Sequence, residues 1–269
     1  MSDNPPDPAA PILLFDSGVG GLTVLAELRK LLPDAPIIYA ADNAGLPYGE
    51  KTEPQIAARV AGLLGRMTER LHPRLACIAC NTASTIALDA VREVLEIPIV
   101  GTVPAIKPAA AMTQTGVIGL IGTEATIRQG YVDRLEARFA ADKALLRLAA
   151  PQLVAAAEAL LKGEPVDTSA VASAVAALRA MPRGDEIDTV VLACTHFPLL
   201  ETELAKAFGS GVAFVHGAQG IARRIASLTE GQPFRREHDD LVLFTGDNGS
   251  IEAYREGLSA YGLPRIEIF

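Results

Sequence analysis

Cysteines are the residues with the most distinctive chemistry in this sequence. There are three of them, Cys77, Cys80 and Cys194, and an odd number argues against a disulfide framework. Cys77 and Cys80 form a C-x-x-C pair, which is typical of redox and zinc sites. No second C-x-x-C or paired histidine accompanies it, and residues three apart in a strand point to opposite faces. We therefore interpret Cys77 as a small buried hydrophobe.

Cys80 and Cys194 share a local context. Each follows the last apolar residue of a predicted strand and precedes a polar turn into a predicted helix, near Ser84 and near Pro198. A helix N-terminus lowers the pKa of a thiol and binds anions, so the pattern predicts two reactive thiols rather than two inert ones. Two thiols that exchange the roles of acid and base can remove an α-proton from one face of a carbon and return it to the other.

Other polar residues stand close to these thiols. Residues 16–21 form a glycine-rich turn that does not match G-x-G-x-x-G, so a dinucleotide site is not predicted. Its Asp16 could hold an ammonium group or tune a thiol, and its glycines suit close approach of the backbone to a small ligand. His196, two residues beyond Cys194, could exchange a proton with that thiol.

The elements that must position these residues alternate along the chain. Short apolar runs alternate with longer amphipathic segments, which predicts an α/β fold with mostly parallel strands. The predicted strands are 12–15, 37–40, 75–79, 99–100, 117–121, 189–193, 212–215 and 241–244. The predicted helices are 22–32, 53–70, 84–95, 127–139, 153–161 and 168–180.

An internal repeat relates the two thiols. Residues 75–82 resemble 190–196, and residues 12–18 resemble 118–124. The similarity predicts two copies of one α/β unit, each with a thiol at the carboxyl end of a strand, where open α/β sheets bind ligands.

Composition excludes several classes of function. The net charge of −8 and the absence of Trp argue against a nucleic-acid partner. No apolar run is long enough to span a bilayer, and the polar, proline-rich residues 1–11 lack the regions of a signal peptide. We expect a cytoplasmic protein with no membrane partner, and a disordered tail over residues 1–11.

Five motifs, taken in order, resemble the glutamate racemases, within the wider aspartate/glutamate racemase superfamily. They lie at residues 15–23, 47–49, 79–83, 98–101 and 193–199. The resemblance implies a cofactor-independent racemase with two pseudo-symmetric α/β domains, each a mostly parallel sheet flanked by helices, and a substrate site at their interface. It also implies supply of D-glutamate for peptidoglycan. A homodimer is common in the family, and no interface is legible in the sequence.

The resemblance also assigns roles to residues. Cys80 takes the α-proton of D-glutamate and Cys194 that of L-glutamate, assisted by Asp16 and His196 respectively. The implied substrate-binding residues are Ser17, Pro47, Tyr48, Gly49, Asn81, Thr82, Thr123 and Thr195, and the supporting carboxylates are Asp42 and Glu158. We expect one domain over residues 1–101 and 216–269, and the other over residues 102–215. The chain departs from the family pattern at Gly45, Ala155 and His216.

Three alternatives stay open. A racemase of aspartate is the nearest, although His196 stands where aspartate racemases tend to have Glu. A Cys–His hydrolase built on Cys194 and His196 would leave Cys80 dispensable. A module that only binds a ligand would use the same interface without proton exchange.

Overall fold

The computed structural model describes residues 7–247, 249 and 251–269 and contains two parallel β-sheets flanked by helices. The strands are β1 Ile12–Asp16, β2 Ile37–Ala41, β3 Leu75–Ile78, β4 Ile99–Gly101, β5 Val117–Gly122, β6 Ala144–Ala149, β7 Thr189–Leu192, β8 Ala213–Val215, β9 Leu241–Phe244 and β10 Arg265–Ile268. The helices are α1 Leu22–Leu31, α2 Glu53–Leu71, α3 Asn81–Val94, α4 Ile106–Met112, α5 Glu124–Ile127, α6 Gly130–Phe139, α7 Gln152–Leu161, α8 Thr168–Arg179, α9 Glu201–Phe208, α10 Ala218–Leu228 and α11 Arg255–Ala260.

The two sheets repeat one strand order. The larger sheet runs β10-β9-β2-β1-β3-β4 and the smaller runs β6-β5-β7-β8, so β1 to β4 correspond in position to β5 to β8. The residues that follow β3 and β7 pair in the same way: the Ala79 amide donates to the Phe15 carbonyl and the Ala193 amide to the Ile121 carbonyl, both at 2.7 Å. The predicted α/β fold with parallel strands is confirmed.

Apolar residues on both faces of the central strands explain this architecture. Every residue of β1, β3, β5 and β7 is buried, as expected for parallel sheets covered by helices on both sides. Alternate residues of a strand enter different cores. Cys77 lies in the core formed with α1 and α10, whereas Cys80 lies with the core formed by α2 and α3, so the two thiols diverge as predicted.

Several elements differ from those predicted. The strands β6 and β10 were not expected, because both lie at sheet edges and include charged residues. The predicted helix 127–139 is two helices, α5 and α6, interrupted at Arg128-Gln129. Helix α3 begins at Asn81 rather than near Ser84, and a 3₁₀ turn, Phe197–Leu200, precedes α9.

The chain near its start is held in place from Asp7 onward. The Arg74 guanidinium donates to the backbone carbonyls of Asp7, Pro8 and Ala10. The expected disordered tail is therefore wrong for residues 7–11, and its first six residues lie outside the described part. Among the described residues, no helix is both long and apolar enough to cross a membrane.

Candidate active site

Cys80 lies between β3 and α3 and caps the helix. Its sulfur accepts a hydrogen bond from the Ala83 amide at 3.5 Å and lies 3.6 Å from the Ser17 hydroxyl. Burial and the nearby Asp16 carboxylate raise the pKa of the Cys80 thiol well above its usual value, despite the helix amides. The expectation that the helix N-terminus would leave this thiol with a lowered pKa is therefore wrong.

Cys194 occupies the equivalent position after β7 but has a different neighbour. The next residues form a 3₁₀ turn, so the predicted α-helix N-terminus is absent at this thiol. Instead, the sulfur lies 3.7 Å from Nδ1 of the buried His196. Although burial opposes its charge, hydrogen bonds with Cys194 and Glu158 raise the pKa of His196 well above its usual value. A cation therefore stands beside Cys194.

Glu158, on α7, holds His196 from the opposite side. Its Oε1 lies 2.7 Å from His196 Nε2 and accepts the Val19 amide at 3.2 Å, while its Oε2 accepts the Tyr254 hydroxyl at 2.6 Å. Burial alone would raise the pKa of Glu158, but these donors keep it below its usual value. The ionised carboxylate can only accept, so Nε2 of His196 carries a proton.

Asp16 ends β1 and is fully buried. Its Oδ1 accepts the Ser17 amide at 2.6 Å and the Ser17 hydroxyl at 3.3 Å, and its Oδ2 accepts the Thr195 hydroxyl at 3.1 Å and the Gly21 amide. Burial raises the pKa of Asp16, and His196 opposes that shift. Asp16 reaches Cys80 through Ser17, whose hydroxyl contacts both side chains.

The glycine-rich turn fits closely against the Glu158–His196 pair. A Cβ at Gly18 would lie 2.6 Å from Glu158 Oε1, and one at Gly20 would lie 2.5 Å from the His196 amide nitrogen. The close backbone approach that the glycines predicted is therefore directed at these protein groups.

Hydroxyl groups from both halves of the molecule meet near Cys80. The Thr82 Oγ1 lies 2.9 Å from that of Thr123 and 3.1 Å from that of Thr126. The backbone of Gly49 lies against Thr123, since a Cβ there would be 3.2 Å from the Thr123 side chain. Asn81 follows Cys80 and accepts the Thr102 hydroxyl at 3.5 Å. These contacts draw the two sheets together around the thiols.

Asp42 organises the neighbouring loop. It follows β2, is fully buried, and accepts two hydrogen bonds from Arg59 and one from each of the Tyr48 and Thr245 hydroxyls. The Tyr48 hydroxyl therefore already has a hydrogen-bond partner within the protein. Pro47, the residue before Tyr48, is exposed. Arg59 lies against Gly45, where a Cβ would collide with its guanidinium.

The structure brings together all the predicted thiols, their helpers and most of the predicted binding residues. Three participants were missed by sequence reasoning: Arg59, Thr126 and Tyr254. Arg59 and Tyr254 are far in sequence from the residues that they contact, so no local pattern marks them. Thr126 had a weak signal, because Thr123 and Thr126 stand three apart at the start of a helix and their side chains share one face.

Comparisons with known proteins identify the family of this two-sheet α/β chain. The family model for Asp/Glu/Hydantoin racemase matches residues 23–225. The chain belongs to this racemase family and, within it, to the glutamate racemases. Within the described part of the chain, no group of three or more His, Cys, Asp or Glu side chains could hold a metal ion.

Individual relatives share nearly the whole length of the chain. Glutamate racemase from Sphingopyxis alaskensis is 67% identical, over 98% of this chain and 99% of the relative. The crystal structure of Escherichia coli glutamate racemase in complex with L-glutamate and the activator UDP-MurNAc-ala is 41% identical, with a TM-score of 0.90 over 97% of this chain and 98% of that chain. The structure of the Thermus thermophilus enzyme in complex with beta-chloro-D-alanine is 33% identical, with a TM-score of 0.74 over 98% and 97% of the two chains.

Proposed function

We propose that this protein interconverts L- and D-glutamate without a cofactor, with Cys80 and Cys194 as the two acid–base groups. The observation that carries the proposal is the placement of two buried thiols at corresponding strand ends of two repeated sheets. Removal of an α-proton requires a base that is close, oriented and shielded from water. Inversion requires a proton donor on the opposite face, and a second thiol supplies it.

In the direction from L- to D-glutamate, Cys194 acts as the base. The His196 imidazolium stabilises its thiolate, which takes the α-proton from one face of the substrate. Cys80 is held as a thiol by burial and by Asp16, so it can donate its proton to the other face. One thiolate and one thiol are the pair that a single turnover in this direction needs.

The reverse direction needs Cys80 as a thiolate. The Ser17 hydroxyl, 3.6 Å from the Cys80 sulfur and 3.3 Å from Asp16, offers a route for the proton from Cys80 to the carboxylate. Burial raises the pKa of Asp16, which makes its carboxylate a better proton acceptor. Cys194 takes the Nδ1 proton of the His196 imidazolium, 3.7 Å away. Cys80 then takes the α-proton of D-glutamate, and Cys194 donates its proton to the opposite face.

Polar groups around the thiols would orient the substrate. Ser17, Asn81, Thr82 and Thr195 are assigned to its amino and α-carboxylate groups. The loop that carries Pro47, Tyr48 and Gly49, together with Thr123, is assigned to its side-chain carboxylate. Asp42 keeps that loop in shape through the Tyr48 hydroxyl. The complex of the Escherichia coli relative with L-glutamate supports glutamate over aspartate as the substrate.

The cellular role that we propose is supply of D-glutamate for peptidoglycan in the bacterial cytoplasm. It is supported by the UDP-MurNAc-ala activator of the Escherichia coli relative, because MurNAc is a peptidoglycan sugar. A strain without this gene should need added D-glutamate for growth. Growth at the normal rate without it, in a strain with no other source of D-glutamate, would contradict this role.

Racemisation in deuterated water tests the chemistry. L-Glutamate should lose its circular dichroism signal, and the D-glutamate formed should carry deuterium at the α-carbon, because the incoming proton derives from a thiol that exchanges with solvent. L-Aspartate should keep its signal under the same conditions. Loss of the aspartate signal with unchanged glutamate would indicate an aspartate racemase. Glutamate binding without α-exchange would indicate a module that only binds its ligand.

A further inference from the structure

Tyr254 is a buried polar residue that the mechanism above leaves without a role. It precedes α11, in the part of the chain that carries β9 and β10, and its ring packs against Phe244 with centroids 5.8 Å apart. Its hydroxyl donates to Glu158 Oε2 at 2.6 Å. Glu158 belongs to α7, beside the other sheet, so this hydrogen bond joins the two halves of the molecule.

This hydrogen bond is the first of three successive contacts that lead from Tyr254 to the sulfur of Cys194. Tyr254 Oη lies 2.6 Å from Glu158, Glu158 Oε1 lies 2.7 Å from His196 Nε2, and His196 Nδ1 lies 3.7 Å from Cys194 Sγ. The two oxygens of Glu158 are divided between these partners, so the Tyr254 hydroxyl leaves Oε1 directed at the imidazole.

Close packing holds Tyr254 in this place. A Cβ at Gly257, one turn further along, would lie 2.3 Å from the Leu161 carbonyl oxygen at the end of α7. The segment that carries Tyr254 therefore approaches the helix that carries Glu158 as closely as backbone atoms allow. Movement of either half would change the distance between the phenol and the carboxylate.

We propose that Tyr254 is a positioning residue for the proton transfer at Cys194: its hydroxyl keeps Glu158 ionised and oriented, so that His196 stays an imidazolium beside the thiolate. A buried carboxylate that loses one of its donors favours its protonated form. Without the phenol, Glu158 would take the proton from His196, and the thiolate of Cys194 would lose its cation. This inference uses the proposed role of Cys194 as a base.

Several titratable groups surround the contacts between Tyr254, Glu158 and His196. Burial raises the pKa of Tyr254, and Glu158 raises it further, so the phenol stays a donor at every pH of interest. Asp16 acts on the charge of His196 from the end of β1. The remaining titratable groups that face Tyr254 or Glu158 are Tyr39, Lys162 and Glu164.

The test is the pH dependence of thiol alkylation in Tyr254→Phe, which keeps the ring and removes only the hydroxyl. Iodoacetamide modification of Cys194 and Cys80 is followed separately by peptide mass spectrometry in the intact protein. The pH midpoint for Cys194 should rise by about 0.5 to 1 unit, the size expected for the net contribution of one typical hydrogen bond. The midpoint for Cys80 should stay unchanged in the same molecules. In a racemisation assay, kcat/KM at neutral pH should fall about 3- to 10-fold.

Two controls separate a positioning role of Tyr254 from a general loss of packing. Tyr261→Phe removes a phenol from the same end of the chain and should leave both midpoints and kcat/KM unchanged. In a Glu158→Gln background, Tyr254→Phe should shift the Cys194 midpoint no further, because the carboxylate through which it acts is gone. An unchanged Cys194 midpoint in Tyr254→Phe, or an equal shift of both thiols, would overturn the inference. Alkylation needs no substrate, so the alkylation result can be interpreted even if the protein does not racemise glutamate.

Discussion

Cys80 and Cys194 occupy corresponding strand ends and have opposite electrostatic surroundings. Cys194 lies beside an imidazolium held by Glu158, whereas Cys80 lies near a buried carboxylate that raises the pKa of its thiol. Each residue alone would be an ordinary buried thiol. In the mechanism that we propose, these surroundings suit Cys194 to the role of base and Cys80 to the role of acid for L-glutamate.

Serine substitution at either thiol should abolish racemisation, because a hydroxyl is far too weak an acid to exchange the α-proton at neutral pH. We expect kcat to fall by at least about 10³-fold for Cys80→Ser and for Cys194→Ser, within the range of general acid–base catalysis. Cys77→Ala is the matched control: it should keep kcat within about threefold and cost about 1 kcal/mol of stability in urea unfolding. An active Cys80→Ser variant would favour the Cys–His hydrolase.

The turn between β1 and α1 is the element that sets the spacing between the halves. Its glycines lack the Cβ atoms that would collide with Glu158 and His196, so the turn can lie directly against the helper of Cys194 while Asp16 and Ser17 face Cys80. One short segment of the first half therefore contacts the machinery of both thiols.

Gly20→Ala tests this element. The added methyl would lie 2.5 Å from the His196 amide nitrogen and 2.6 Å from its Nδ1, so the turn or the histidine must move. We expect kcat/KM to fall by at least about tenfold and the free energy of unfolding to drop by about 1–3 kcal/mol. Gly62→Ala, on α2 with open space around it, should be neutral or stabilise by about 0.5–1 kcal/mol. Equal effects of the two changes would contradict the close-approach argument.

At the scale of the whole molecule, the site exists only where the two halves meet. We propose that they are two domains, residues 1–101 with 216–269 and residues 102–215, since each sheet is built from one of these sets. Hydrogen bonds that cross between them include Thr82 with Thr123, Asp16 with Thr195 and Tyr254 with Glu158. Closure of the halves therefore assembles the helpers of both thiols at once.

Thr82→Val should weaken this closure, because it removes the hydroxyl that meets Thr123 and Thr126 across the interface. We expect a loss of about 1–2 kcal/mol in urea unfolding and a several-fold rise in KM for glutamate. Thr85→Val is the matched control one turn along α3, since its hydroxyl bonds only to carbonyls of its own helix. If both variants lose the same stability and keep the same KM, the hydroxyl cluster does not hold the halves together.

The edge strand β6 cannot be predicted from its local sequence pattern. Its sequence, Ala-Leu-Leu-Arg-Leu-Ala, contains a central Arg147 and does not alternate, so it reads as a helix or a loop. It becomes a strand because β5 offers a free edge at the place that β2 fills in the other sheet. Tertiary pairing overrides weak local preference at such edges.

The sequence by itself determined the α/β class, the parallel strands, the repeat that relates Cys80 to Cys194, and the burial of Cys77. These follow from periodicity and strand-end chemistry, which depend on neighbours in the chain. Only the tertiary structure decided that Asp16 raises the pKa of Cys80, that His196 provides the cation for Cys194, and that Tyr254 reaches Glu158. The pKa of a thiol depends on burial and on charges within a few ångströms, and residues 96 positions apart come that close only after folding.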